Sequence, residues 1–475
     1  MQTDLFHAIL NNAWSILLIV LFFGGSIFVH ELGHFLAARA RGVHVEVFSI
    51  GMGPPIVSWT GSGGTRYQIA WFPLGGFVLL PQIADLGPLE GESSVSAEEL
   101  APVSYSSKML VFTAGATFNI LFAFLLACVI WRIGQPENNE SLSTTVGYVA
   151  RTIDLPDASK VPSPAAQAGL RVGDVVKSID GHRITDWGDL NDTLVMGSGR
   201  DLDGGRTSLF VIERDGKTME LTLHPRLSGD DHIRRVGILQ GYDMNVHSVE
   251  ANSALAKAGL LAGDRIVSVR GSPIMNFGGL AEELAIEPAQ PAHMGVIRAG
   301  QALDLTVPPR SAALPLGEIE YLTGSHMTYP SPFTQIAQPF MLTLRTVWGL
   351  INPRSDIGLN KVSGPIGIVH IFHEAAEVGI RVVIRITILI NVNLAILNLL
   401  PVPVLDGGQM MFATIGRLRG RSLPARFIVA TQSVFIVLLL SMFLYISIFD
   451  VRRWSKDAAE ARTQVPPAAS AAPAK

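Results

Sequence analysis

This chain has one cysteine in 475 residues, Cys128, so no intramolecular disulfide can brace it. Cys128 lies inside an apolar run, where a thiol reads as a small buried hydrophobe and says nothing about compartment. Charge is scarce too: Asp, Glu, Lys and Arg make up 16% of residues, against about 25% in soluble domains. The formal net charge of −4 gives a nucleic-acid partner no electrostatic footing, and none is expected. Met1–Asn12 contains neither Lys nor Arg, and no small-residue cleavage site follows the first apolar run. That run therefore reads as a retained membrane helix rather than a cleaved signal.

Apolar residues fill the gap, at 48% of the chain. Ala13–Val29, Met109–Trp131, Ile386–Leu405 and Phe427–Phe449 are free of charge. Each approaches the roughly 20 residues that a helix needs to cross about 30 Å of hydrocarbon. Arg39, Arg41, Arg66 and Lys108 lie between the first two runs, and Arg417, Arg419, Arg421 and Arg426 between the last two. Basic loops favour the cytoplasm, which places both termini and the long 133–380 region outside. Arg452, Arg453 and Lys456 after the last run pull the other way, but the two short loops agree with each other.

The outside region holds a repeat. Ala168–Leu190 and Ala258–Leu280 match at 10 of 23 positions with a constant offset of 90 residues. A long period occurring twice indicates two tandem globular modules rather than a solenoid. Each copy runs from a helix end (Ala-Gly-Leu) through a Gly-Asp turn, an alternating strand and a second turn to a new helix start. That order resembles the PDZ domains of bacterial periplasmic proteases, which take up extended peptides along a sheet edge. A steric cap that binds nothing specific is the plainer alternative. The modules are expected at 145–225 and 236–308.

The chemistry lies where the first apolar run ends, at His30-Glu31-Leu32-Gly33-His34. Histidines at i and i+4 share one helical face, so both imidazoles can reach one zinc ion. Glu31 is placed to take a proton from a water held there. The plainer reading is a polar helix end reaching the interface, but such groups beside an apolar span are costly and functional by default. A third ligand is needed if one position is to stay open. Asp406 is the candidate, in Asn398–Gly408, where Pro401 and Pro403 break the helix and Gly407-Gly408 free the backbone. An interfacial turn with a solvated aspartate is the alternative.

With these motifs paired in this order, the chain resembles the bacterial site-2 proteases, intramembrane zinc metalloproteases, in the form that carries two PDZ domains. Phe48-Ser49-Ile50-Gly51, Pro73–Val78, Ala114-Gly115, Phe118-Asn119 and Ser363–Gly367 match as well, so the resemblance runs from about Ile16 to about Phe449. It implies a polytopic α-helical membrane protein with four transmembrane helices, two tandem α/β PDZ-like domains and a membrane-associated β-hairpin region. It implies Zn²⁺ held by His30, His34 and Asp406, with Glu31 as general base. Asn393 and Asn398 would line the site and hold the substrate backbone. Arg66–Pro81 would form the hairpin and offer an edge, around Phe77 and Val78, to an unwound substrate.

The implied substrates are single-pass transmembrane proteins of the anti-sigma-factor type, and remnant signal peptides. Each is cut after an upstream site-1 protease has acted outside the membrane. The implied location is the bacterial inner membrane, among its lipids, with the PDZ domains periplasmic and the active site near the cytoplasmic side. The expected parts are 1–40 (first span), 41–108 (loop and hairpin), 109–132 (second span) and the two modules. Then come 309–380 (linker and amphipathic segments), 381–408 (third span), 427–449 (fourth span) and 450–475 (disordered tail).

Other polar clusters carry less. His370, His373 and Glu374 fit neither zinc-helix order, and the acidic 85–100 loop reads as solvated. A scaffold with a dead metal site would lack a ligand or Glu31, and none is missing. A transporter would show inverted repeats across two broken membrane helices, and only the outside repeat is found.

Overall fold

The structure is a computed structural model that describes residues 13–83 and 100–464, apart from 139, 158, 230–231, 312–313 and 323–324. The acidic loop of the sequence reading therefore lies almost wholly outside the described residues. The chain divides into two compact units. The first comprises residues up to Gly134, Tyr329–Leu344 and those from Leu359 onward; the second comprises Gln135–Thr328 and Arg345–Gly358.

Among the described residues, the first unit holds four helices long and apolar enough to cross a membrane: Ala13–Ala40, Tyr105–Ile133, Ile380–Asn398 and Ala425–Ser455. In chain order its elements are helix α1 (Ala13–Ala40), strands β1 (Val47–Thr60) and β2 (Arg66–Leu79), and helix α2 (Tyr105–Ile133). Helices α3 (Pro332–Ile351, whose end belongs to the second unit), α4 (Pro365–Val378), α5 (Ile380–Asn398), α6 (Asp406–Leu418) and α7 (Ala425–Gln464) follow. Ser104 caps α2 by accepting from the Ser107 amide, and Gly134 ends it at φ +70°. Ala123, Ala127 and Ile130 of α2 pack against Ile384, Ile388, Val392 and Ile396 of α5. The small residues let the two backbones approach closely, as membrane interfaces require.

Three boundaries differ from the sequence reading. The third apolar helix starts at Ile380, including Arg381 and Arg385, and stops at Asn398 rather than running through Leu405. Pro401 and Pro403 cannot continue it, because each removes an amide donor and crowds the preceding turn. The last helix continues to Gln464, so the 450–475 tail is helical over its first part, where helix-forming Ala, Glu and Arg favour it. Arg66–Pro81 is not a hairpin by itself but one bent strand paired with β1. Phe48 faces Tyr67 on one side and Val78 on the other, and Thr60 faces Arg66.

The second unit contains two modules of the same element order. In the first, Val146–Val149 is followed by the short helix Pro164–Gln167, strand Val175–Ile179, helix Trp187–Val195 and the ribbon Ser208–Arg214/Lys217–Leu223. In the second, Met244–Val249 is followed by Ala254–Lys257, Arg265–Val269, Phe277–Ala285 and the ribbon Ala292–Arg298/Gln301–Val307. Each module has its own core, around Phe210 and Leu190 in one and Met294 and Leu280 in the other. The repeated Gly-Asp turn does more than turn. Asp174 is buried against Arg214, and Asp264 equally against Arg298, in paired hydrogen bonds of 2.6–2.7 Å.

Each module is longer than its repeat. Ile238–Gln240 pairs with the first strand of module one, and Ile319–Leu322 with that of module two. The expected start of module two at 236 and the expected linker from 309 both cut off such a strand. Gly237 and Gly317 precede these strands at φ +82° and +89°, where any β-carbon would strike Ser163 or Ser253. Strands of three or four residues leave no alternation long enough to read.

Candidate metal centre

His30, Glu31 and His34 stand on the last turns of α1, where 3.6-residue periodicity stacks the two imidazoles on one face. Gly33, beside them, touches α2: a β-carbon there would lie 2.6 Å from the Ala114 carbonyl oxygen. This close approach sets Val111, Gly115 and Asn119, at i, i+4 and i+8 of α2, beneath the imidazoles. His34 Nδ1 is 2.8 Å from the Val111 carbonyl oxygen, and His30 Nδ1 is 3.3 Å from the Asn119 amide nitrogen. Between them, a β-carbon on Gly115 would collide with His34 Nε2 and His30 Cε1.

Asp406 arrives from the far side of the sequence. After α5 stops, a tight turn through residues 399–405 leads into α6, with Asp406 in its first turn. Gly407 and Gly408 lie against the carbonyls of Leu399, Leu400 and Val402 so closely that neither could carry a side chain. Asp406 Oδ2 lies 3.3 Å from His30 Nε2 and 3.3 Å from His34 Nε2, and the two Nε2 atoms are 3.1 Å apart. Donors about 2.0–2.1 Å from one tetrahedral ion stand roughly 3.3 Å from each other. The set fits zinc in donor type and spacing: two imidazoles and a carboxylate, with one position left for water or substrate. Among the described residues it is the one group of three or more such side chains with ligand atoms this close.

Glu31 turns toward β2, where a β-carbon on Gly76 would lie 3.2 Å from its Cγ. The next residues of that strand, Phe77 and Val78, pair with Ser49 and Phe48. Val78 is buried among Phe35, Phe48 and Leu80, so its side chain belongs to the core. Among the described residues no other strand pairs with this stretch. The two asparagines of α5 separate. Asn398 Nδ2 is 3.4 Å from His30 Nε2, at the centre itself, whereas Asn393 Oδ1 meets the hydroxyl of Thr343 on α3.

Sequence reasoning named the three side chains that the structure brings together, but not the groups that touch their rings. A polar Asn119 four residues after Gly115 in a charge-free run was the available signal; Thr343 gave none. Asn391 was missed as well. Buried in α5, it donates to Ser26 Oγ at 2.8 Å and so ties α5 to α1. His370 and His373 pair with Glu374 and Glu377 along α4 and belong to no group of three such side chains among the described residues.

The family model described as peptidase family M50 matches residues 18–442, nearly the whole chain and both ligand motifs. This chain belongs to peptidase family M50. Its curated relatives agree in length as well as in sequence. The regulator of sigma-E protease of Salmonella typhimurium is 31% identical over 467 residues, covering 92% of this chain and 98% of the relative. The Escherichia coli K12 protein of the same name is 30% identical over 472 residues, covering 92% and 98%. A predicted zinc metalloprotease of Vibrio cholerae is 28% identical over 443 residues, covering 87% and 93%. This M50 peptidase is a zinc metalloprotease and a multi-pass membrane protein.

Proposed function

We propose that this peptidase cuts single-pass transmembrane proteins within the bilayer, with membrane-bound anti-sigma factors as the substrate class. The observation that carries the reading is the meeting of His30, His34 and Asp406 at 3.1–3.3 Å on helices apolar enough to span a membrane. The printed names of the Salmonella and Escherichia coli relatives as regulators of sigma-E support the substrate class. The cut follows a first cleavage outside the membrane by another protease, and remnant signal peptides belong to the same substrate chemistry.

His30, His34 and Asp406 hold the zinc, which when bound supplies Lewis acidity to the scissile carbonyl and to the attacking water. Glu31 accepts a proton from that water as its oxygen adds to the carbonyl carbon. It then delivers the proton to the leaving nitrogen as the C–N bond breaks. A substrate helix hides its carbonyls in internal hydrogen bonds and must unwind first. The edge of β2 at Phe77 and Val78 replaces bonds that would otherwise cost several kcal/mol each in lipid. Asn398 donates to the unwound main chain beside the zinc, and Asn393 lies farther along the same helix. Trp71 and Phe72 at the far bend of β2 are 67% and 68% exposed, which supports a membrane-associated hairpin.

The two modules have the element order of PDZ domains and act outside the membrane as a filter against substrates with bulky outer domains. By the basic loops, they face the periplasm and the zinc lies toward the cytoplasmic side of the inner membrane. The deciding experiment is Glu31→Gln in purified, zinc-loaded protein with a model transmembrane substrate. Zinc content should stay at the wild-type level while cleavage falls at least 100-fold. Retained turnover would remove Glu31 from the mechanism.

A further inference from the structure

Helix α2 contributes no zinc ligand, yet it touches both ligating histidines. His34 Nδ1 meets the Val111 carbonyl oxygen at 2.8 Å, two turns before Asn119 meets His30 Nδ1 at 3.3 Å. The first contact is to main chain, and no substitution can remove it. The second depends on one side chain. Asn119 is fully buried, and among the described residues its Oδ1 has no hydrogen-bond partner.

We infer that Asn119 is a positioning residue for zinc: its amide oxygen accepts from His30 Nδ1–H and holds the ring with Nε2 toward the metal. This rests on His30 being a ligand, as proposed above. His30 Nε2 points at Asp406 and His34, so as a ligand it carries a lone pair there, and the ring proton must lie on Nδ1. That proton needs an acceptor in a buried site. Among the described residues the Asn119 amide is the group within reach, and its oxygen and nitrogen exchange places by a half-turn of the side chain. One end of the amide is unpaired in either orientation, so the ring decides which end faces it. With nitrogen inward, the amide donates into Nδ1 and forces the proton onto Nε2, which cannot then bind metal. With oxygen inward, the tautomer and the ring plane are both set for ligation. His34 obtains the same orientation from Val111, so a single face of α2 selects the tautomer of both rings.

The test is zinc affinity by chelator competition on purified full-length protein, with the visible spectrum of the cobalt-substituted form as a second readout. Asn119→Leu keeps the volume and removes the acceptor; Asn119→Asp keeps an acceptor and removes the donor. The leucine variant should bind zinc 10–100-fold more weakly and alter the cobalt spectrum. The aspartate variant should bind within a few-fold of wild type and keep the spectrum. Equal loss in both variants would assign Asn119 a donor or packing role and overturn the inference, as would wild-type affinity in the leucine variant. Should the leucine protein not fold, Asn119→Ala takes its place with the same expected loss. If wild-type protein itself binds no zinc, or His30→Ala binds it as wild type does, the ligand assignment has failed rather than the role of Asn119.

Discussion

Gly115 lies directly beneath His34: a β-carbon on it would occupy the space of the Nε2 atom that faces Asp406. The glycine is there because two imidazoles and a neighbouring helix share a space too small for a methyl group. Gly115→Ala should therefore displace both rings and lower zinc affinity at least tenfold, while the four apolar helices still assemble. Metal analysis of the purified protein, with its thermal midpoint as a check on folding, measures this. Full zinc occupancy in the alanine variant would mean that the rings do not rest on α2.

Removing a ligand should differ from removing the base. Asp406→Ala takes away one of three donors and should reduce zinc content as His34→Ala does, whereas Glu31→Gln should not. Inductively coupled plasma measurement on the three variants side by side separates the roles. If Asp406→Ala keeps a full complement, the third ligand lies elsewhere in the chain.

Asp356 receives hydrogen bonds from Arg200, Arg206 and Arg234 at 2.7–3.0 Å, tying the 345–358 segment to the first module. Burial works to raise its pKa, but the hydrogen bonds from the three guanidinium groups outweigh it and hold the carboxyl well below the usual range. A carboxyl depressed in the folded state contributes stability above its unfolded pKa of about 3.9 and loses it as pH falls through the folded value. Asp356→Asn should lower the stability of this unit by about 3 kcal/mol at pH 7, since it leaves Arg234 buried without its counter-charge. The deficit against wild type should hold from pH 7 to about 5 and shrink only below pH 4. Proteolytic cleavage within 345–358, followed over pH, reports it; equal cleavage of the two proteins at pH 7 would deny the tie any importance.

The filter role proposed for the modules can be tested by excision. Gln135–Asn138 pairs with Ser325–Thr328, so a short flexible link from 138 to 325 replaces both modules and keeps that ribbon closed. The shortened protein should cut a substrate already trimmed outside the membrane. It should also cut the full-length form, which the intact enzyme should leave largely uncut. Immunoblots of both substrates at equal enzyme levels decide this. Loss of both cleavages with normal zinc content would make the modules supports of the active site, and continued rejection of the long form would place the filter elsewhere.

The spacing His30-Glu31-x-x-His34, the proline-broken turn before Asp406, the 90-residue repeat and the four apolar runs are all local patterns. The sequence by itself therefore determined which side chains could hold a metal, the zinc-protease chemistry and four runs apolar enough to cross a membrane. Periodicity, turn chemistry and self-similarity are read along the chain, and each of these features is legible without knowing which distant segments meet. What only the tertiary structure decided are relations between distant segments: which face of α2 orients the histidines, where β2 passes Glu31, and that Asn393 meets Thr343 while Asn398 meets His30. The same holds for the strands after Gly237 and Gly317, too short to show alternation yet held by pairing with residues 70 to 94 positions earlier. Such contacts are set by how helices and strands close on one another, and a one-dimensional pattern carries no record of that closure.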